Sequence, residues 1–147
     1  SLVGSEMCIR DSLSEWNRPR IVLVIEGVLC NRIERHGEAR RLRKAPILSY
    51  HTQWYETPLK RVVVLKHNYP DMGVDLVTFI SQEFADEAAE YLDMLNIPYD
   101  SVKYMPWETF ATSLRFQSDI KAVYDSSAQR LSRFGQLGVQ TVQGSDF

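Results

Sequence analysis

Apolar residues along this chain gather in short unbroken blocks separated by stretches of mixed, helix-spaced polarity. The first block, RIVLVIEGVL over 20–29, is a β-branched run bounded by Pro19 and Gly27. A continuous run of that kind predicts a strand buried on both faces, as in a parallel sheet. Further strands are predicted over 74–80 (VDLVTFI), 101–105, 120–124 and 139–142. Between them the period changes. Ser81 is a natural N-cap for a helix over 83–95, whose apolar residues Phe84, Ala88, Tyr91, Leu92 and Leu95 share one face; Asn96 and Pro98 end it. Segments 108–116 and 127–137 are also predicted helical, the second stopped by Gly138. Segment 59–67 is two-sided: Val62, Val63 and Val64 favour a strand by propensity. Its place ahead of the Asp71–Met72–Gly73 turn and another strand favours a helix, with Pro58 acceptable in the first turn, and the helix is preferred.

Strands alternating with helices imply an α/β, Rossmann-like parallel sheet with flanking helices, wound by right-handed crossovers. One interruption is expected, a small β-hairpin insert over about 31–55, with Gly37 at its turn and a second strand over 47–55.

Charge sharpens this picture. The 147 residues carry 17 Lys plus Arg against 19 Asp plus Glu, a net of −2, so bulk charge does not make this a nucleic-acid or membrane coat. The near-neutral total hides a basic patch: 31–44 holds Arg32, Arg35, Arg40, Arg41, Arg43 and Lys44 against only Glu34 and Glu38. No apolar run is long enough to span a bilayer, and no membrane partner is expected. Residues 1–12, SLVGSEMCIRDS, lack the basic and apolar regions of a signal peptide. They resemble the translated sequencing-adapter scar found in transcriptome and metagenome data and are expected to be non-native. Setting aside Arg10, Glu6, Asp11 and Cys8 leaves 16 basic and 17 acidic groups and the single thiol of Cys30 in one domain over 13–147. A lone thiol fits a reducing, cytoplasmic (intracellular) setting.

In parallel sheets ligands sit beyond the carboxyl ends of the strands. The residues delivered there are Glu26 and Gly27, Thr78 and Ser81, and Asp125, Ser126 and Ser127. Glu26 and Asp125 together, with hydroxyls nearby, suit a hard oxygen-seeking cation such as Mg²⁺. The competing reading makes Asp125 and Ser127 helix caps and Glu26 a solvated loop residue. His36, His51 and His67 have no metal-ligand spacing, and Cys30 has no evident base beside it. Arg40, Arg41 and Arg43, with Tyr50, His51, Trp54 and Tyr55 downstream, offer a flap that would grip phosphates and stack bases, or else a solvated hairpin. Trp107 is expected to pack at the core or rim.

Three segments resemble the haloacid dehalogenase (HAD) superfamily over about 20–144. IVLVIEGVL is similar to its first motif, a strand followed by Asp-x-Asp-Gly-Thr/Val-Leu. VDLVTFISQEFADEAAEYLDMLNIPYDSV is similar to the second, a strand ending in Thr or Ser with its helix and following turn. IKAVYDSSAQRLSRFGQLGVQTVQGSDF is similar to the fourth, and among HAD proteins it most resembles the phosphatase half of polynucleotide kinase/phosphatases. The resemblance implies a phosphohydrolase scaffold using Mg²⁺. It implies candidate catalytic roles for Glu26 (acid/base), Thr78 (second-motif hydroxyl) and Lys103 (third-motif cation, with Arg115 the weaker candidate), and metal-binding roles for Glu26 and Asp125. Gly27, Ser126, Ser127 and the insert arginines are candidate ligand-binding residues.

The departures are as informative. The family's nucleophilic Asp aligns with Val24, its second Asp with Glu26, and its acidic pair with Asp125–Ser126. No Asp occurs between Ser12 and Asp71, so no shift of alignment restores a nucleophile. Without one, an aspartyl-phosphate cannot form. The expectation is a phosphatase-fold domain that has lost its classical activity and binds a phosphorylated small molecule, a nucleic acid end or a protein partner. The alternatives are a divergent Mg²⁺-dependent phosphohydrolase and a structural subunit of a larger assembly.

Overall fold

A computed structural model describes residues 18–31 and 52–147. Five strands, β1 (Arg20–Val24), β2 (Gly73–Thr78), β3 (Ser101–Tyr104), β4 (Ile120–Asp125) and β5 (Thr141–Gln143), form one sheet in the order β3-β2-β1-β4-β5. Every pairing is parallel. Four helices cross over between them: α1 (Glu56–Asn68), α2 (Gln82–Met94), α3 (Trp107–Leu114) and α4 (Ala128–Gln136). The α/β, Rossmann-like architecture is therefore the one the hydrophobic blocks imply.

Strand alternation splits the core into two layers. Ile21, Leu23, Val74, Leu76 and Ala122 face α1 and α2, where Leu59, Val62, Phe84, Ala88 and Leu92 close over them. Val22, Val24, Val77 and Val123 face the other way, under Phe110, Ala111 and Leu114 of α3 and Phe134 of α4. Phe110 lies edge-on to Phe134 with ring centroids 5.4 Å apart. The central strand β1 is covered on both sides, which is why its sequence reads as an unbroken apolar run.

Three of the differences from expectation bear on packing. The first block ends as a strand at Val24, and Ile25–Val28 forms a kinked helical turn with Gly27 at φ 92°. Only glycine adopts that left-handed conformation without cost. Segment 59–67 is helical and begins earlier, at Glu56, with Pro58 in the first turn. Of its three valines, Val62 is fully buried while Val63 and Val64 are exposed, so one buried contact per turn outweighs β propensity. In α2 the buried face is Phe84, Ala85, Ala88 and Leu92. Leu95 is exposed, because the helix ends at Met94 and Asn96 turns the chain at φ 57°. Ser81 caps α2 as expected, its Oγ accepting the Phe84 amide at 3.1 Å.

The base of the insert is visible from both sides. Cys30 bridges Trp54 in antiparallel fashion. The Asn31 amide donates to the Gln53 carbonyl at 3.0 Å, and the Tyr55 amide to the Leu29 carbonyl at 2.8 Å. The predicted strand over 47–55 is represented among the described residues by this bridge. Gly37, His36, His51, Tyr50 and Arg40, Arg41 and Arg43 lie outside the described residues.

Candidate functional site at the carboxyl rim of the sheet

The kinked turn after β1 folds Glu26 inward. Its carboxylate is buried, 5% exposed, and so is not the solvated loop residue that the competing reading expected. The Phe79 amide donates to its Oε1 at 2.9 Å, and the nearby Thr78 hydroxyl favours its charged form. Oε2 has no partner among the described residues. Burial pushes the Glu26 pKa up to about 7; the Phe79 amide, the Thr78 hydroxyl and the charge of Arg130 work against that rise. Burying a carboxylate disfavours its charged form, which is the cause of the rise. Thr78 is itself fully buried, and its Oγ1 accepts the Ile80 amide at 3.1 Å.

Asp125 ends β4 next to this group and is fully buried. Both of its oxygens are engaged by one guanidinium: Arg130 Nε donates to Oδ2 at 2.6 Å and Arg130 Nη2 to Oδ1 at 2.9 Å. The Ser127 amide also donates to Oδ1, at 3.2 Å. Arg130 lies over the Phe79 ring, Cζ 5.1 Å from its centroid. Burial opposes its charge, but Asp125 and then Glu26 outweigh that and raise its pKa. Sequence reasoning missed Arg130. The only signal was its place five residues after Asp125, in the first turn of α4.

Three other expected groups are placed as follows. Ser127 is the N-cap of α4, its Oγ accepting the Arg130 amide at 3.3 Å. Ser126 Oγ is buried and has no partner among the described residues. Gly27 donates its amide to the Cys30 carbonyl at 2.9 Å and closes the turn.

Val24 is the residue that the motif resemblance aligned with the family's nucleophile. It is fully buried and belongs to the apolar layer with Val22, Val77, Phe79 and Phe110. Lys103 is exposed and shares its row: it pairs with Val77, which pairs with Val24. Two strand spacings put it about 10 Å from Val24, measured between backbones. Arg115 caps the far end of α3, where the chain returns to the start of β4. It is thus at the opposite rim, lining a groove of about 170 Å³ with Trp107 and Arg133. Trp54, considered as a base-stacking platform, is stacked on Tyr91 at 4.9 Å. Trp107 packs against the core as expected. Cys30 is buried, and burial followed by the charge of Glu26 pushes its thiol up to about 12, which disfavours the thiolate. His67 ends α1, exposed.

Glu26 and Asp125, expected as a pair of metal carboxylates, lie just after β1 and at the end of the neighbouring parallel strand β4. The donor set does not fit a divalent cation, however. Mg²⁺ requires several free oxygens in octahedral array. Here both oxygens of Asp125 are bonded to a guanidinium, one of Glu26 is bonded to a backbone amide, and the positive charge of Arg130 acts on both residues. No group of three or more His, Cys, Asp or Glu suited to a metal occurs among the described residues.

No protein-family model and no curated protein sequence matches the chain. Solved structures do. The Pnkp1/Rnl/Hen1 RNA repair complex contains a chain that superposes with a TM-score of 0.60 at 14% identity, over 85% of this chain and 42% of that one. The HAD domain of the Legionella pneumophila effector protein Lem4, as an inactive mutant, superposes with a TM-score of 0.56 at 8% identity, over 86% of this chain and 84% of that one. This chain thus spans less than half of the repair-complex chain and most of the Lem4 domain. At these identities the likeness concerns the fold alone, an α/β fold shared with that HAD domain. No helix among the described residues is long and apolar enough to cross a membrane.

Proposed function

We propose that residues 13–147 form a single HAD-like, phosphatase-fold domain that recognises a phosphorylated ligand without hydrolysing it. The observation that carries this reading is Val24, an apolar side chain sealed into the core at the nucleophile position while Glu26, Thr78 and Asp125 remain gathered at the rim. Phosphoryl transfer through this fold needs a carboxylate at that point, and a valine offers no lone pair. The favoured ligand is a nucleic acid end, with the arginines of the insert, Arg40, Arg41 and Arg43, supplying the phosphate grip. The likeness to a chain of an RNA repair complex supports this, as does the basic insert rooted at the same rim. A place in the cytoplasm, and in a larger protein assembly, belongs to the same proposal.

One observation favours a second reading. A Glu26 pKa of about 7 suits a general acid or base at neutral pH, as a divergent phosphohydrolase would need. One experiment separates the two. The chain is titrated with 3′-phosphorylated and 3′-hydroxyl oligonucleotides by fluorescence anisotropy, and the same oligonucleotides are assayed for phosphate release with and without Mg²⁺. Preferential binding of the phosphorylated end without turnover is expected. Turnover abolished by Glu26→Ala and Asp125→Ala would overturn the binding-only reading. Equal affinity for both ends would remove the phosphorylated ligand.

A further inference from the structure

We propose that Arg130 takes the place of a divalent cation in this site, so that the rim is charge-balanced by the chain itself and works without metal. The inference deepens the binding proposal, because it concerns the same rim, but it rests on the geometry of Arg130.

Four observations carry it. First, the guanidinium meets Asp125 fork to fork, with both bonds under 3 Å. This bidentate form is the strongest that an arginine and a carboxylate make. Second, Asp125 is fully buried and Arg130 has only 22% of its side chain exposed, so the pair is shielded from solvent and salt. Third, Phe79 joins the two acidic residues into one unit. Its amide holds Glu26 Oε1 and its ring lies beneath the guanidinium. Fourth, Arg130 interacts electrostatically with Glu26 as well as with Asp125. One positive charge therefore serves both carboxylates, which is the role a bound cation would have. A divalent ion entering here would have to displace the fork and then sit beside the displaced guanidinium. The cost of the like charges adds to that of the broken hydrogen bonds.

The sequence pattern agrees. The acidic pair of the fourth motif has become Asp125–Ser126, which removes one negative charge from the set that Arg130 has to offset. Charge removed from the ligand set and charge added as Arg130 both lower affinity for a metal.

The test is metal binding by the full chain, read by Mn²⁺ paramagnetic resonance and by thermal shift in millimolar Mg²⁺ or Mn²⁺. The wild type is expected to show no rim binding, meaning that Asp125→Asn leaves the Mn²⁺ signal unchanged. Arg130→Gln frees both carboxylates and is expected to gain Mn²⁺ affinity by roughly tenfold or more. Arg130→Lys, which keeps the charge, is expected to gain none. Should Arg130→Gln unfold for want of a counter-charge, Mn²⁺ is expected to restore its folding. Three results would overturn the proposal: one-to-one Mn²⁺ binding by the wild type that Asp125→Asn abolishes; a folded Arg130→Gln without gain; or an unfolded Arg130→Gln that metal does not rescue. The oligonucleotide titration is a separate readout. Its failure would remove the phosphorylated ligand and leave the metal result standing.

Discussion

Replacing Glu26 by Gln should change how the stability of this protein depends on pH. The substitution keeps an oxygen for the Phe79 amide and removes the ionisable group. In the folded chain burial raises the Glu26 pKa from 4.5 to about 7. Below pH 4.5 the carboxyl is protonated in both folded and unfolded chains and contributes no pH dependence. Between 4.5 and 7 the folded state holds a proton that the unfolded state has released. Unfolding free energy then falls as pH rises, by about 1.4 kcal/mol per unit. Above 7 both states are ionised and the slope vanishes. Over this window of 7 − 4.5 = 2.5 units the wild type should lose about 3 kcal/mol relative to Glu26→Gln. Urea unfolding of both proteins, at a series of pH values spanning the window, measures this directly. The difference between the two curves cancels the other titrating groups to the extent that they respond alike. A difference that stays constant with pH would refute the reasoning, because it would mean that Glu26 ionises in the folded protein as it does in water.

Three further outcomes are expected from the same structure. Asp125→Asn leaves the Arg130 guanidinium without its counter-charge in a largely buried position and should destabilise by about 3 kcal/mol in chemical denaturation. Phe134→Ala empties a fully buried site in contact with Phe110 and should cost about 3–5 kcal/mol, with a matching fall in melting temperature. Ser81→Ala removes the Oγ that accepts the Phe84 amide and should cost about 1 kcal/mol by urea unfolding.

The sequence by itself determined the parallel α/β architecture, because a strand covered on both faces has to be apolar throughout. Residues 21–24 of β1 show this directly. It determined the start of α2, since a serine before a helical period satisfies an orphan amide locally. It also determined that no Asp stands between Ser12 and Asp71, because residue order alone shows it. What the tertiary structure decided was long-range. Val62 is helical because the apolar layer on one face of the sheet gives it a buried place, against its own propensity. Leu95 is exposed because Asn96 turns the chain away, although period alone placed it on the apolar face. Glu26 is buried because a left-handed Gly27 bends the chain and Phe79, 53 residues away, donates to it. Asp125 shows the same difference most sharply. Its position at a strand end was legible from the pattern, and so was its carboxylate chemistry. That a guanidinium from the following helix would hold both of its oxygens was not, because hydrophobic period and motif spacing record which residues reach the rim but not which of them pair once there.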